Sequence, residues 1–581
     1  MQVRACSTRQ IGSKLGLSLV AGFAALPAIA GTPAVLDRVP TDAQGVFVVS
    51  NFGGLLNDIN TINGLMGEQG EPMVMMVTSM VRGMPGINLD GSMAGVLSFE
   101  EGEEEPEVVL LVPIADFAAF SEGHAFNDGL YEFNTGDSVM YFRDASRGFA
   151  VMGENGDLVA NYDSKPGQIK AHTQLLGKSG GRVADSNDAF VYFNFDAFSD
   201  QIAAGLEEME AEGEMVEMMG GAEAAAGFDA MMDVARTIAN DGASFAMGIN
   251  FDEELGFAFD LGMQFKEGSS SASYLQNEGD SSKYLNNVPA MDYFMASSYD
   301  ISGTGIRKLA TDYMDFIEQF DTTGMIKGID LGAMLEGFNG GIQIMGASDN
   351  VMGGLFSKTM YYIDVEEPDQ YIDFIQGMYA GLNESMAELE EVGISVDATM
   401  DTEPTAIDGV DAYGYSFAMD MSQMEAMDGM GGANPMMIMS MIFGGEGGPS
   451  GYMAKAGHGI VSTLSKDADF FKMAVNGANG KNSMAGNKSI ATTASMLPDN
   501  RIMETYIGAN HLANTAGPMM MMFGLIPEFE PIGSLPPIGM GLTADGGGIL
   551  FRTAIPLETI GTMMEMIPAD AFESDDEEMD F

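Results

Sequence analysis

Val39-Pro-Thr-Asp-Ala-Gln-Gly-Val-Phe-Val-Val-Ser-Asn-Phe52 decides the fold, because versions of it occur four times. The others are residues 183–196 (VADSNDAFVYFNFD), 288–300 (VPAMDYFMASSYD) and 497–510 (LPDNRIMETYIGAN). Each has a turn with Pro, Asp or Asn, then an apolar or aromatic run, then a polar residue where a helix can begin. The turn residues interrupt whatever precedes them, so a short apolar run between them reads as a buried strand. Asp196, Asp300 and Asn510 stand where an N-cap oxygen would meet the orphan helix N–H groups. Gly53 takes that place in the first version.

Working outward, each strand leads into a helical region, a hairpin and a closing helix. The second unit has the clearest hairpin. Phe245, Met247, Ile249 and Phe251 alternate with Ser244, Ala246, Gly248 and Asn250. After Asp252-Glu253-Glu254 the alternation resumes with Phe257, Phe259, Leu261, Met263 and Phe265. A period of two predicts a half-buried antiparallel pair, with the bulky residues on the buried side. Equivalent hairpins are expected at 95–99 with 108–114, at 341–347 with 354–365, and at 538–544 with 549–555. Closing helices are expected at 115–122, 269–277, 368–383 and 556–567. Pro368 and Pro556 suit a first helical turn, where no N–H is needed.

Between the first two units lie further strands at 130–133, 139–142 and 149–152 and a polar helix near 165–176. The same order recurs between the third and fourth units, with strands at 412–420, 452–455 and 460–463 and a helix at 467–475. The expected fold class is α+β: antiparallel sheets with packed helices, internally duplicated, as four strand–helix–hairpin–helix units in two halves. The halves run over 31–280 and 281–570, with Glu278–Ser282 as the joint. The acidic tail 571–581 is expected to be disordered, as like-charge runs are. The segments VPTDAQGVFVVSN (39–51) and LPDNRIMETYIG (497–508) resemble those of a family of large exported bacterial proteins built from repeated Pro-Asp-Ala-turn and strand units. That family has no assigned activity. The resemblance therefore implies export and the repeat, and carries no functional residue.

Residues 1–30 read as a signal peptide. Arg4, Arg9 and Lys14 precede the apolar run Leu15–Ala30, which closes on the small residues of Ala28-Ile29-Ala30. The run is short of the roughly 20 residues a membrane span needs. A periplasmic or extracellular location follows, with no membrane span after cleavage. The single cysteine, Cys6, would be removed too, leaving no disulfide, thiolate metal site or cysteine nucleophile. The net charge of −60 opposes nucleic acid and anionic lipid as partners. Such a surface also suits a salty medium, where molar salt shortens the screening length to about 3 Å.

No catalytic motif has the context it needs. Gly177-Lys-Ser-Gly-Gly181 matches G-x-S-x-G, but a helix precedes it and a strand follows, the reverse of a nucleophile elbow. Gly539-Met-Gly541-Leu-Thr-Ala544 runs into a hairpin turn instead of a phosphate-binding helix. His124, His172, His458 and His511 show no metal-ligand spacing. The acidic run Glu100–Glu107 lacks the spacing of a calcium loop.

Methionine is the unusual component, with 52 residues. The segment 421–449 is an insertion in the second half, holding Met421, Met424, Met427, Met430, Met436, Met437, Met439 and Met441. Flexible thioethers make adaptable apolar surfaces. These eight are the candidate hydrophobic-binding residues. The expected function is that of an exported non-enzymatic protein, without a cofactor, binding a hydrophobic small molecule or an envelope protein. One alternative is metal handling, with Cu(I) on thioethers or Ca²⁺ on carboxylates. The other is a hydrolase whose site is assembled from distant loops.

Overall fold

The computed structural model describes residues 32–58, 83–99, 106–134, 138–252, 254–276, 279–320, 332, 335, 337–348, 354–385, 395–420, 442–443, 448–522, 524 and 528–566. It is an α+β fold with extensive antiparallel sheet, divided into two compact units. Unit 1 comprises residues 1–210, 232–272 and 545–581; unit 2 comprises 211–231 and 273–544. The expected signal peptide and acidic tail lie outside the described residues.

Unit 1 begins with β1 (Gly45–Val49), β2 (Met93–Ser98) and β3 (Glu107–Pro113), followed by α1 (Phe117–Ser121). Next come β4 (Ala125–Asn127), β5 (Leu130–Asn134), β6 (Val139–Ser146) and β7 (Phe149–Gly153), then α2 (Gly156–Asn161) and α3 (Ile169–Ser186). β8 (Ala189–Asn194), α4 (Ser199–Asp241), β9 (Gly242–Asp252) and β10 (Gly256–Phe265) complete this stretch. Hydrogen bonding orders the strands β4-β5-β6-β7-β3-β2-β1-β8-β9-β10, every pair antiparallel.

Alternation gives this sheet two apolar faces. On one, Val46, Val48, Ala94, Val96, Val109, Leu111, Val151, Phe190 and Tyr192 pack under Val35 and Leu36 of a 3-10 turn and Leu176, Val183 and Ala184 of α3. Each fully buried Val or Leu contributes about 1.5–3 kcal/mol. On the other, opposite partners form a row across the sheet: Tyr131, Phe142, Met152, Leu110, Gly95, Phe47, Val191, Met247, Leu261.

The β9–β10 hairpin inverts the expected burial over most of its length, with only Phe251 and Phe265 of the bulky set buried. Ser244, Ala246, Gly248, Ala258, Asp260, Gly262 and Gln264 are buried, while Phe245, Met247, Ile249, Phe257, Phe259, Leu261 and Met263 are only half-buried. The reason is α3. A Cβ on Gly248 would meet Asn187 and Val183, and one on Gly262 would meet Val183, so small residues admit the helix. The polar side chains on this face bond to α3 and its end. Ser244 Oγ donates to Leu175 O at 2.9 Å, and Gln264 Oε1 accepts from Lys178 N at 3.0 Å and Ser179 N at 3.3 Å. That second contact caps a new helical segment, because Gly177 breaks α3 with φ +57°.

α4 also departs from a straight rod. At 1.5 Å per residue, Glu210 and Arg236 would stand about 39 Å apart on a continuous helix. They form an ion pair, so the chain doubles back. The Phe228 ring lies against Gly213, placing the reversal between them.

Three of the four expected N-cap positions act otherwise. Asp196 pairs with Lys266 at 2.8 Å, and α4 begins after Phe198 without a side-chain cap. In the first unit Asn51 Oδ1, not Gly53, accepts from Gly54 N at 3.1 Å. Asp300 does bind the turn before the next helix, accepting from Ser302 N at 3.0 Å.

After the short α5 (Ser270–Tyr274), unit 2 holds β11 (Tyr293–Asp300), α6 (Thr304–Phe320), β12 (Phe338–Gly346), β13 (Thr359–Val365) and α7 (Pro368–Ser385). β14 (Ser395–Met400), β15 (Thr405–Ile407), β16 (Val410–Asp420), β17 (Ser450–Ala456), β18 (Gly459–Thr463) and α8 (Ala468–Ala478) follow. Then come α9 (Lys488–Ala494), β19 (Met503–Ile507), α10 (Ala509–Met522) and β20 (Ile538–Asp545). Asn510 is inside α10, not at its cap.

The strand order is β16-β17-β18-β13-β12-β11-β19-β20, with β14 and β15 along the outer edge of β16. One row of opposite partners reads Tyr413, Met453, Ser462, Tyr361, Gln343, Ser297, Thr505, Met540. The chain then returns to unit 1 with β21 (Gly548–Pro556), paired to β10, and α11 (Leu557–Met566).

Candidate functional site

The second apolar face of the unit 1 sheet floors a cavity of about 170 Å³. Leu110 and Val112 share this face of β3, and Met152 on β7 lies directly opposite Leu110. Met93 enters from β2 and Phe133 from β5. Above the floor stand Phe120 of α1, His124, Phe52 of the helical stretch 52–58, and Met84, Pro85 and Ile87. Ten of these eleven side chains are hydrocarbon or thioether.

Local sequence fixes the roof. Asp116 Oδ1 accepts from Ala118 N at 3.0 Å and Ala119 N at 3.2 Å, which caps α1 and sets Phe120. Gly86 O accepts from Ala115 N at 2.8 Å and Asp116 N at 3.1 Å, tying the Met84–Ile87 segment to the start of α1. Gly86 has φ +83°, and a Cβ there would overlap the Asp116 carbonyl oxygen. Only glycine permits both the left-handed backbone and the close approach.

The aromatic rings set the wall's shape. Phe120 meets Phe142 edge-on at 5.0 Å, and His124 meets Phe142 edge-on at 5.3 Å and Phe133 at 5.4 Å. Such pairs contribute about 0.5–1.5 kcal/mol beyond their buried area, enough to favour one arrangement of the wall. The histidine is the single polar group. Its Nδ1 lies 3.3 Å from Glu132 O, and a carbonyl only accepts, so Nδ1 carries the hydrogen of that bond. The cavity can take a small apolar molecule: engineered apolar cavities of about 150 Å³ stay dry and bind benzene.

The other histidines are elsewhere. His172 is buried, donating from Nε2 to Val39 O at 2.9 Å and accepting at Nδ1 from Tyr192 Oη at 2.7 Å. Burial pushes its pKa down, with the Val39 bond opposing. His458 occupies the β17–β18 turn, and His511 lies on α10, 3.8 Å from Asp292. Among the described residues no three His, Cys, Asp or Glu side chains gather as a metal site. None of the described helices is long and apolar enough to cross a membrane. Gly177–Gly181 lies within α3 with Ser179 buried, and Gly539–Ala544 lies on β20. Met421, Met424, Met427, Met430, Met436, Met437, Met439 and Met441 lie outside the described residues.

Family models, curated proteins and solved structures give no match to this chain.

One polar group in the β9–β10 alternation marks a buried network. Asp260 is fully buried and accepts from Arg552 Nε at 2.6 Å, from Arg552 Nη2, and from Asn187 Nδ2 at 2.6 Å. Ser186 Oγ adds a contact at 3.3 Å. Burial opposes the Arg552 charge, but the Asp260 bonds outweigh it and the pKa rises. This arrangement joins α3, β10 and β21, and its carboxylate is saturated. Its role is structural.

Proposed function

We propose that this chain is an exported binding protein that takes one small apolar molecule into the unit 1 cavity. The observation that carries this reading is the 170 Å³ space walled by Met84, Met93, Met152, Phe52, Phe120 and Phe133. Cavities lined by apolar groups with few polar ones are the usual form of small-molecule sites. The test is a toluene titration of the full-length chain by calorimetry or NMR. Saturable one-to-one binding is expected, and Val112→Phe, which places a ring in the space, should abolish it while leaving the fold intact. Absence of saturable binding to the unsubstituted chain would refute the reading.

Internal duplication is part of the proposal. Its support is the matching ladder order: β1 lies between β2 and β8 as β11 lies between β12 and β19, and β3 between β2 and β7 as β13 between β12 and β18. The two rows of opposite partners cross matching strands in the same order. Both units also close a hairpin with Asp-Gly at positive φ, Asp128-Gly129 and Asp408-Gly409. The rows differ in chemistry. Met152, Leu110, Gly95, Phe47 and Val191 stand on the strands that match those of Ser462, Tyr361, Gln343, Ser297 and Thr505. The polar row satisfies itself, with Ser297 and Thr505 hydroxyls at 2.8 Å and Gln343 Nε2 donating to Tyr361 Oη at 3.2 Å. Apolar binding on this face is therefore assigned to unit 1.

Export rests on the basic residues ahead of Leu15–Ala30. N-terminal sequencing of the released protein should begin at Gly31; recovery of Met1 there would contradict it.

A second reading, Cu(I) binding, is favoured by one observation: three thioethers and an imidazole line the same cavity. Soft ions accept such ligands. Stoichiometric Cu(I) uptake lost in a Met93→Leu/Met152→Leu variant would support it over the apolar guest.

A further inference from the structure

We infer that the guest is a compact ring bearing one hydrogen-bond donor, of the phenol class, held by its O–H at His124 Nε2. This rests on the cavity being the ligand site and adds the chemistry that selects among apolar guests. Glu132 O can only accept, so its contact with Nδ1 places the hydrogen there in the neutral ring. Nε2 then carries a lone pair. It makes no hydrogen bond to a described residue, and its ring lines the cavity.

The remaining lining offers no comparable acceptor. A thioether sulfur is a weak one, and Phe, Leu, Val, Ile and Pro side chains have none. Two ring contacts hold the orientation of the imidazole, with Phe133 at 5.4 Å and Phe142 edge-on at 5.3 Å. The volume agrees: a space of about 170 Å³ is of the size that takes a single benzene-class ring. A site built to pair one polar group discriminates against analogues lacking it, because the acceptor is then left unpaired.

The experiment compares phenol with toluene on the full-length chain, by calorimetry and by ¹⁵N NMR of the histidine rings. Phenol is expected to bind about tenfold tighter, a difference of about 1.4 kcal/mol, the size of one good hydrogen bond. It should also shift the His124 Nε2 resonance while leaving Nδ1 in place. His124→Phe should reverse the preference toward toluene. The NMR measurement decides the matter even if that variant does not fold. Toluene binding as tightly as phenol, with Nε2 unmoved, overturns the donor-bearing guest and leaves the apolar site standing. Failure of both to bind overturns the site itself.

Discussion

Replacing Asp260 by Asn keeps the shape of the side chain and removes its charge. In the native protein that carboxylate is fully buried and accepts two bonds from Arg552, one from Asn187 and one from Ser186. The substitution removes the charge of the buried carboxylate that the Arg552 guanidinium, only 15% exposed, is paired with. It also turns an amide NH₂ toward donors. Breaking a buried pair in this way costs about 3–5 kcal/mol. At roughly 2–4 °C per kcal/mol for units of this size, the unfolding midpoint should fall by about 6–20 °C. Thermal and urea denaturation of Asp260→Asn measures the loss.

Asp260→Leu/Arg552→Met supplies the control. Removing both members of the pair leaves neither charge buried without the other, so this variant should recover most of the stability. Asn187 still donates to Val183 O at 2.7 Å and loses only one partner. A cost below about 1 kcal/mol for Asp260→Asn, where breaking a buried ion pair should cost several times that, would refute the reasoning.

Gly86→Ala should destabilise unit 1 by at least the ~1–3 kcal/mol of a strained left-handed residue, and weaken toluene binding by displacing Met84 and Pro85. Denaturation and titration of the same variant check both. Gly248→Ala should cost about 1–3 kcal/mol by overpacking against Val183 and Asn187, whereas Phe257→Leu, on the half-buried face, should cost less. His172 gives a pH signature. Its folded pKa lies below the ordinary value of 6.5, so the unfolded chain binds the extra proton. Stability should be level above about pH 6.5 and fall as the pH drops through that range. Urea midpoints from pH 8 to 5 should show the fall, and His172→Gln should flatten it.

Much of the architecture was legible because strand signals are local. Alternation and turn residues placed β9, β10, β17, β18 and β21 within a few residues of where they form. The buried side of β9 and β10 was not legible. Alternation separates two faces but does not say which one a helix will approach, and α3 approaches through Gly248 and Gly262. Asp260 did carry a signal, as a lone acid in an apolar strand. The cavity carried none. Its wall gathers Phe52, Met84, Leu110, His124, Phe133 and Met152, which are dispersed in sequence, and its methionines do not cluster as those of 421–441 do. His124 looks ordinary until the fold sets its ring against Phe133 and Phe142.

The most direct measurement is a crystal structure of the protein grown with bromobenzene, read through the anomalous signal of bromine. The expected result is one strong peak enclosed by Met93, Leu110, Phe120 and Met152. Bromine found only elsewhere, or no ordered bromine in unit 1, would contradict a ligand site at the cavity.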